Sequence, residues 1–299
     1  GATSLSAAVQ QYYSEETSGV FKVLAPPSGF DPTTYDDTLA VQDAIDAAAV
    51  KGGKVKLPPR IYRIRGSLEM NPGVCPVGAR NLPPSSVSRD IHDGTDNENT
   101  VIFAFNKANP LFTLPDSTSV SGLTIYYPEQ YINKDNFTAY PWTFRLYGDN
   151  NTVENISLVN SYNAIKVDST VASPQPNRNH RISNVYGCAL HRGIYVDNCA
   201  GDGIIENVHF IVGCWSIKPK GYFYRPPKED PQHPPVRVRE AGVNSIEQYA
   251  AHNLQAFSFG LAVGEQVTNT FVYTSRFGYR FFKSTHGTSS NLIGPTICA

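Results

Sequence analysis

Val153-Glu-Asn-Ile-Ser-Leu158 returns twice without gaps, as Ile182-Ser-Asn-Val-Tyr-Gly187 and Ile205-Glu-Asn-Val-His-Phe210. Each copy has a β-branched residue two positions before an Asn and another directly after it. Ten residues beyond each Asn stands an isoleucine: Ile165, Ile194 and Ile217. The frame also fits Val120-Ser-Gly-Leu-Thr-Ile125, with Gly122 in the Asn position and Ile132 at plus ten. It fits again at Val267-Thr-Asn-Thr-Phe-Val272, with Asn269 and then Tyr279. The key positions 122, 155, 184, 207 and 269 are 33, 29, 23 and 62 residues apart. A strand-rich unit recurring at twenty to thirty residues is the pattern of stacked coils.

Apolar residues at −2 and +1 skip the polar site at +2 in the first four copies (Thr124, Ser157, Tyr186, His209), which describes short strands with one buried face. Equal positions on successive coils would lie about 4.8 Å apart. Asn155, Asn184 and Asn207 then form a column whose amides can bond from coil to coil. An antiparallel sandwich gives no reason for one frame to recur at matching offsets, so the repeats predict an all-β, parallel β-helix.

Composition agrees. The 299 residues hold 23 Gly and 22 Pro, which suit many short strands and turns. A net charge of −1 gives no global attraction for nucleic acid, and no apolar run approaches the ~20 residues of a membrane span, so neither partner is expected. Five cysteines (Cys75, Cys188, Cys199, Cys214, Cys298) are too few for a disulfide framework, and no C-x-x-C spacing marks zinc. A mature secreted chain beginning at Gly1 is compatible with all of this.

Residues 1–35 read as an amino-terminal extension and 36–299 as one domain. Asp36-Asp-Thr38 supplies an N-cap for a helix over Leu39–Val50, with Val41, Ala44, Ile45 and Ala48 at helical spacing and Gly52-Gly53 as the stop. Two alternating strands follow. The run Asp37-Thr-Leu-Ala-Val-Gln-Asp-Ala-Ile-Asp-Ala-Ala48, then Gly52-Gly-Lys-Val-Lys-Leu-Pro-Pro-Arg-Ile-Tyr-Arg-Ile64, resembles the amino-terminal motif of the pectate lyase superfamily, the pectin lyase-like β-helices. The resemblance covers about thirty residues. It implies a right-handed parallel β-helix whose first coil is capped by this helix. It does not choose among the polygalacturonases, lyases, epimerases and tailspikes that share the motif.

Residues 66–99 read as an irregular excursion. A calcium ion on Asp93, Asp96 and Glu98 is chemically conceivable, but their spacing matches no established loop, and no cofactor or metal is expected. Residues 216–252, with six prolines, leave the stack as an inserted loop region, read as a wall over the binding face whose deletion should reduce glycan binding and leave thermal unfolding nearly unchanged. The end at Ile297-Cys-Ala299 has no amphipathic cap, so further chain, another domain or a subunit is expected over that end.

Positions +7 and +8 after each Asn fall at a turn and read Glu129/Gln130, Tyr162/Asn163, His191/Arg192, Cys214/Trp215 and Arg276/Phe277. In polygalacturonases the corresponding columns carry the catalytic aspartates. Here they carry none, so the activity does not transfer directly. They offer instead His191 as a general base, with Arg192 and Tyr162 beside it as catalytic candidates. Trp215, Arg276, Asn163 and Glu129 are substrate-binding candidates, through ring stacking and charge pairing with an acidic sugar. Asp168 and Asp197 form a further column at +13, followed by Asp202. They read first as turn caps, and Asp197 with Asp202, or loop carboxylates, is the hydrolytic alternative. The expected function is an extracellular enzyme that cleaves a polysaccharide along the coils, as a lyase on an acidic glycan or as a glycoside hydrolase. A non-catalytic glycan-binding or tailspike-type β-helix, or a purely structural segment, is the alternative.

Overall fold

The computed structural model describes residues 12–31, 34–79, 98–130, 132–133, 136–169, 175–215, 238–284, 286 and 297–298. Among the described residues, eighteen strands belong to one curled sheet. All its pairings are parallel except that of Tyr13–Thr17 with Val20–Val23. Val20–Val23 then pairs with Lys54–Leu57, so part of the segment read as an extension joins the sheet.

The repeats stack in the register that their sequences predict. Val120, Val153, Ile182, Ile205 and Val267 are successive partners. The Asn column is real. Asn155, Asn184, Asn207 and Asn269 have φ of 54°, 54°, 53° and 47°, and Gly122, in the same column, has φ 72°. This left-handed conformation is one that Gly adopts freely and Asn tolerates best among the other residues, which explains the residue choice. Each amide donates to the one before it: Asn184 Nδ2 to Asn155 Oδ1 at 3.2 Å, Asn207 to Asn184 at 2.6 Å, and Asn269 to Asn207 at 3.1 Å.

A second column stacks just as closely, and here the expected residues need correction. Trp142-Thr-Phe-Arg-Leu146, Asn163-Ala-Ile-Lys-Val167, Arg192-Gly-Ile-Tyr-Val196, Gln255-Ala-Phe-Ser-Phe259 and Phe277-Gly-Tyr-Arg-Phe281 lie one upon another. The partners of Ile165 and Ile194 are thus Phe144 and Phe257, not Ile132 and Ile217. Ile132 belongs to an antiparallel pair with Asn136–Phe137, and residue 217 lies outside the described residues. Tyr279 does lie in this column, but on Phe257 rather than Ile217, with ring centroids 5.1 Å apart. In the first four segments the second residue (Thr143, Ala164, Gly193, Ala256) is small and buried. A Cβ on Gly193 would come within 2.3 Å of the Ala256 carbonyl oxygen and 2.6 Å of the Phe210 ring.

The cap helix spans Thr38–Ala49 and buries Ala40, Val41, Ala44, Ile45 and Ala48 against the first coil. Asp37 stands at the N-cap without a side-chain cap bond. Its carboxylate is turned to Arg60 Nη2 at 2.7 Å and to the Arg63 backbone N–H at 2.9 Å, which ties the helix entrance to the strand after it. Asp36 does the capping, accepting from the Thr38 N–H at 3.0 Å.

Of the segment expected to leave the stack, residues 216–237 lie outside the described residues, and Val238–Asn253 is a helix. Ile246 and Ala250 are fully buried in the main core, so this end of the segment belongs to the fold rather than to a detachable wall. Among the described residues, no helix is long and apolar enough to cross a membrane. Large aromatics on the last strands, Phe271, Tyr273, Tyr279 and Phe281, are exposed.

Candidate functional site

Ala164 and Ile165 are both buried, as are their partners Gly193 with Ile194 and Ala256 with Phe257. The positions on either side of this inward pair, most of them half-buried, form two neighbouring rows. One carries Trp142, Asn163, Arg192, Gln255 and Phe277. The other carries Thr113, Arg145, Lys166, Tyr195, Ser258 and Arg280. Tyr195 joins them. The Arg192 guanidinium lies 5.6 Å from its ring centroid, the Lys166 ammonium 5.5 Å, and the Trp142 and Phe282 rings 6.0 and 5.1 Å. The result is one strip of cations and aromatic rings running from coil to coil.

Beside it, His191 stacks on Tyr162 with centroids 4.9 Å apart and planes 21° from parallel. Asn163 Oδ1 lies 3.1 Å from His191 Nδ1, and Asn163 Nδ2 donates to the Tyr140 carbonyl at 3.0 Å. Burial, then the neighbouring Arg192 charge, push the imidazole's pKa below its ordinary value, so it is neutral at pH 7. Tyr249, from the Val238–Asn253 helix, donates to the Tyr162 hydroxyl at 3.2 Å while its ring lies 3.9 Å from that of Phe137. Burial, then the hydrogen bond to Tyr162, push the Tyr249 phenol well up, so it stays protonated. Among the described residues, Arg192 has no carboxylate within 4 Å, and its buried Nε has no partner.

Tyr162, Asn163, His191 and Arg192 are therefore brought together. The others are not. Glu129 is exposed in a turn and paired with Lys107 at 2.8 Å, and the coil position below Asn163 belongs to Trp142. Arg276 does lie two coils above His191, its N–H bonded to the Leu254 carbonyl, but the coil between is Leu254-Gln255 rather than Cys214-Trp215. Val212–Trp215 forms a one-turn helix instead, and the side chain of Trp215 lies outside the described residues. Asp202 is exposed before the strand Ile204–Ile211, against Gly264.

The column at +13 is occupied more fully than its residues alone predict. Asp168 and Asp197 are both buried, and His286 Nε2 approaches them at 3.1 and 3.9 Å. Lys166 pairs with Asp168 at 2.8 Å. Asp197 Oδ1 accepts from the Asn198 and Leu261 backbone N–H groups, at 3.0 and 2.8 Å, so half of this carboxylate caps a turn as expected. The Tyr195 hydroxyl donates to its other oxygen at 3.4 Å. Asp93 and Asp96, the residues considered for calcium, lie outside the described residues; among the latter no cluster of three His, Cys, Asp or Glu is placed to hold a metal.

No protein-family profile and no curated protein matches the chain. Solved structures with some likeness include the tailspike protein gp49 of Acinetobacter baumannii bacteriophage Fri1, a capsular polysaccharide depolymerase, at 14% identity and TM-score 0.44 over 81% of this chain and 44% of that one. ORF18 of Geobacillus virus E2 gives 13% and 0.46 over 81% and 46%. The A-module of the Azotobacter vinelandii mannuronan C-5 epimerase AlgE4 gives 13% and 0.39 over 81% and 67%. The chain spans less than half the length of the first two. At these identities and scores the likeness carries neither family membership nor activity over to this chain.

Proposed function

We propose that the stacked coils form a right-handed parallel β-helix, and that the chain is an extracellular enzyme cleaving an anionic polysaccharide by β-elimination. One observation carries the reading: a neutral, oriented imidazole stands next to a guanidinium without a carboxylate partner among the described residues, on a strip of rings and cations. Arg192 pairs with the uronate carboxylate and stabilises the charge that develops when the adjacent C–H is broken. His191 takes that proton. The C–H electron pair becomes a carbon–carbon double bond, and the glycosidic C–O bond at the β carbon breaks. The departing oxygen takes a proton from the Tyr162 hydroxyl, which already accepts from Tyr249 and so has its own hydrogen to give. Trp142 and Tyr195 offer faces for sugar rings.

The test incubates the chain with uronate-containing and neutral polysaccharides and reads both ultraviolet absorbance of unsaturated ends and new reducing ends. Both signals should appear on an acidic polymer, and His191→Ala should lower turnover by ~10²-fold or more. A second reading, hydrolysis, is favoured by Asp168 and Asp197 facing one imidazole, that of His286. Reducing ends without unsaturation, together with wild-type turnover in His191→Ala, would make it the better one. Neither signal on any polymer would leave a glycan-binding protein.

A further inference from the structure

The side chain next to His191 does more than line the surface. Asn163 Nδ2 donates to the Tyr140 carbonyl, which fixes the amide's orientation, since the flipped amide would set two oxygens against each other. Oδ1 therefore faces the imidazole, and an acceptor at 3.1 Å from Nδ1 requires a proton on Nδ1. The backbone beneath is held as firmly. Hydroxyls of Thr143 and Ser161 both lie within reach of the Asn163 carbonyl, at 3.1 and 3.2 Å, and one of them donates to it. Thr143 lies 2.8 Å from Ser161 Oγ and 2.7 Å from the Tyr127 hydroxyl, in a buried chain of three hydroxyl groups. A buried network satisfied in this way specifies one arrangement.

We propose that Asn163, expected from the sequence to bind substrate, is instead the positioning residue of His191: it keeps the imidazole proton on Nδ1 and leaves the Nε2 lone pair for the substrate. A neutral histidine left to itself prefers the other tautomer, so without Asn163 most of the base would carry its proton on the wrong nitrogen. The groups around the ring are the Tyr162 face, with Tyr249 behind it on the helix, and Arg192 on its own strand. Among the described residues no carboxylate lies within 4 Å of it, so the amide alone sets the tautomer. That Nε2 acts as the base rests on the eliminative reading; the tautomer does not.

The experiment is long-range proton–nitrogen NMR on the whole chain, with the His191 signal identified by its loss in His191→Gln. In the wild type above the imidazole's pKa, Nδ1 should be the protonated nitrogen and Nε2 the bare one. Asn163→Asp puts a negative charge against Nδ1–H and should raise the His191 pKa by a unit or more, an effect of the size usual for an adjacent opposite charge, ~1–3 units. Asn163→Leu should move most of the proton to Nε2 and lower kcat several-fold, less than the loss in His191→Ala, with KM little changed, since only the base is mis-set. An Nε2-protonated wild type, or an unmoved pKa in the folded Asp variant, overturns the proposal whatever the activity. The expected NMR result with no eliminase activity would instead overturn the eliminative reading and leave the tautomer standing.

Discussion

Replacing the middle rung of the asparagine column separates two contributions that the native residue combines. Asn184 donates to Asn155 and accepts from Asn207, so its loss removes two side-chain hydrogen bonds. At a net 0.5–1.5 kcal/mol each, with the rungs partly exposed, this costs about 1–2 kcal/mol. Its φ of 54° adds a backbone term. Ala in the left-handed region costs roughly 1–2 kcal/mol more than a residue at ease there, whereas Gly has no such penalty. Asn184→Gly should therefore lose about 1–2 kcal/mol and Asn184→Ala about 2–4 kcal/mol. Asn269→Ala, with one described rung rather than two, should lose less than Asn184→Ala. The assay is equilibrium urea unfolding followed by far-ultraviolet circular dichroism and tryptophan fluorescence. Coincident transitions are needed before a midpoint becomes a free energy. A glycine variant as stable as the wild type would show that the ladder bonds add nothing. An alanine variant no worse than the glycine one would refute the backbone argument for asparagine.

Gly53→Ala should lower the urea midpoint by the equivalent of roughly 1–3 kcal/mol, because a Cβ there would lie 2.0 Å from the Gly19 carbonyl oxygen, which accepts the Lys54 N–H at 2.7 Å; an unchanged midpoint would mean that the first coil is not closed at this contact. Ile246→Asp buries an unpaired carboxylate in the main core and should cost more than about 3 kcal/mol, whereas native-like stability would restore the reading of 238–253 as a detachable wall. The acidic limb of kcat/KM should fall below the ordinary histidine value of about 6.5: the neutral imidazole is the active form, and a depressed pKa keeps it neutral to lower pH. Arg192→Ala removes the smaller of the two causes, so in that variant the limb should move up only part of the way.

The asparagine column and the cap helix were legible in the sequence because each follows a local rule. A left-handed turn admits few residue types, and a buried helix face repeats at fixed spacing. The second column follows a rule as well, an inward small residue and then two inward large ones at alternate places: Thr143, Phe144, Leu146; Ala164, Ile165, Val167; Gly193, Ile194, Val196; Ala256, Phe257, Phe259. Counting ten residues from each Asn missed two of these because the connecting segments differ in length. Between Asn207 and Phe257 the chain turns into Val212–Trp215 and later Val238–Asn253, and Ile217 met the count by coincidence. A fixed offset is reliable only where the corner between strands has constant length, as it does from Asn155 to Ile165 and from Asn184 to Ile194.

The same distinction decides how much of the site could be read. Tyr162, Asn163, His191 and Arg192 lie within eight residues of an aligned asparagine on coils without insertions, and they meet as their offsets require. His286 and Tyr249 reach their partners across connections of variable length, and no local offset carries that information. For Tyr249 a signal was nonetheless present. The six prolines of 216–252 all precede residue 236, and after them Ile246, Tyr249 and Ala250 stand at i, i+3 and i+4 within Glu-, Gln- and Ala-containing sequence. That helix delivers a phenol to Tyr162, the ring that covers His191. The element read as part of a detachable wall is thus the one that ties the imidazole's stacking partner to the core, and stability and chemistry at this face should respond together when the helix is disturbed.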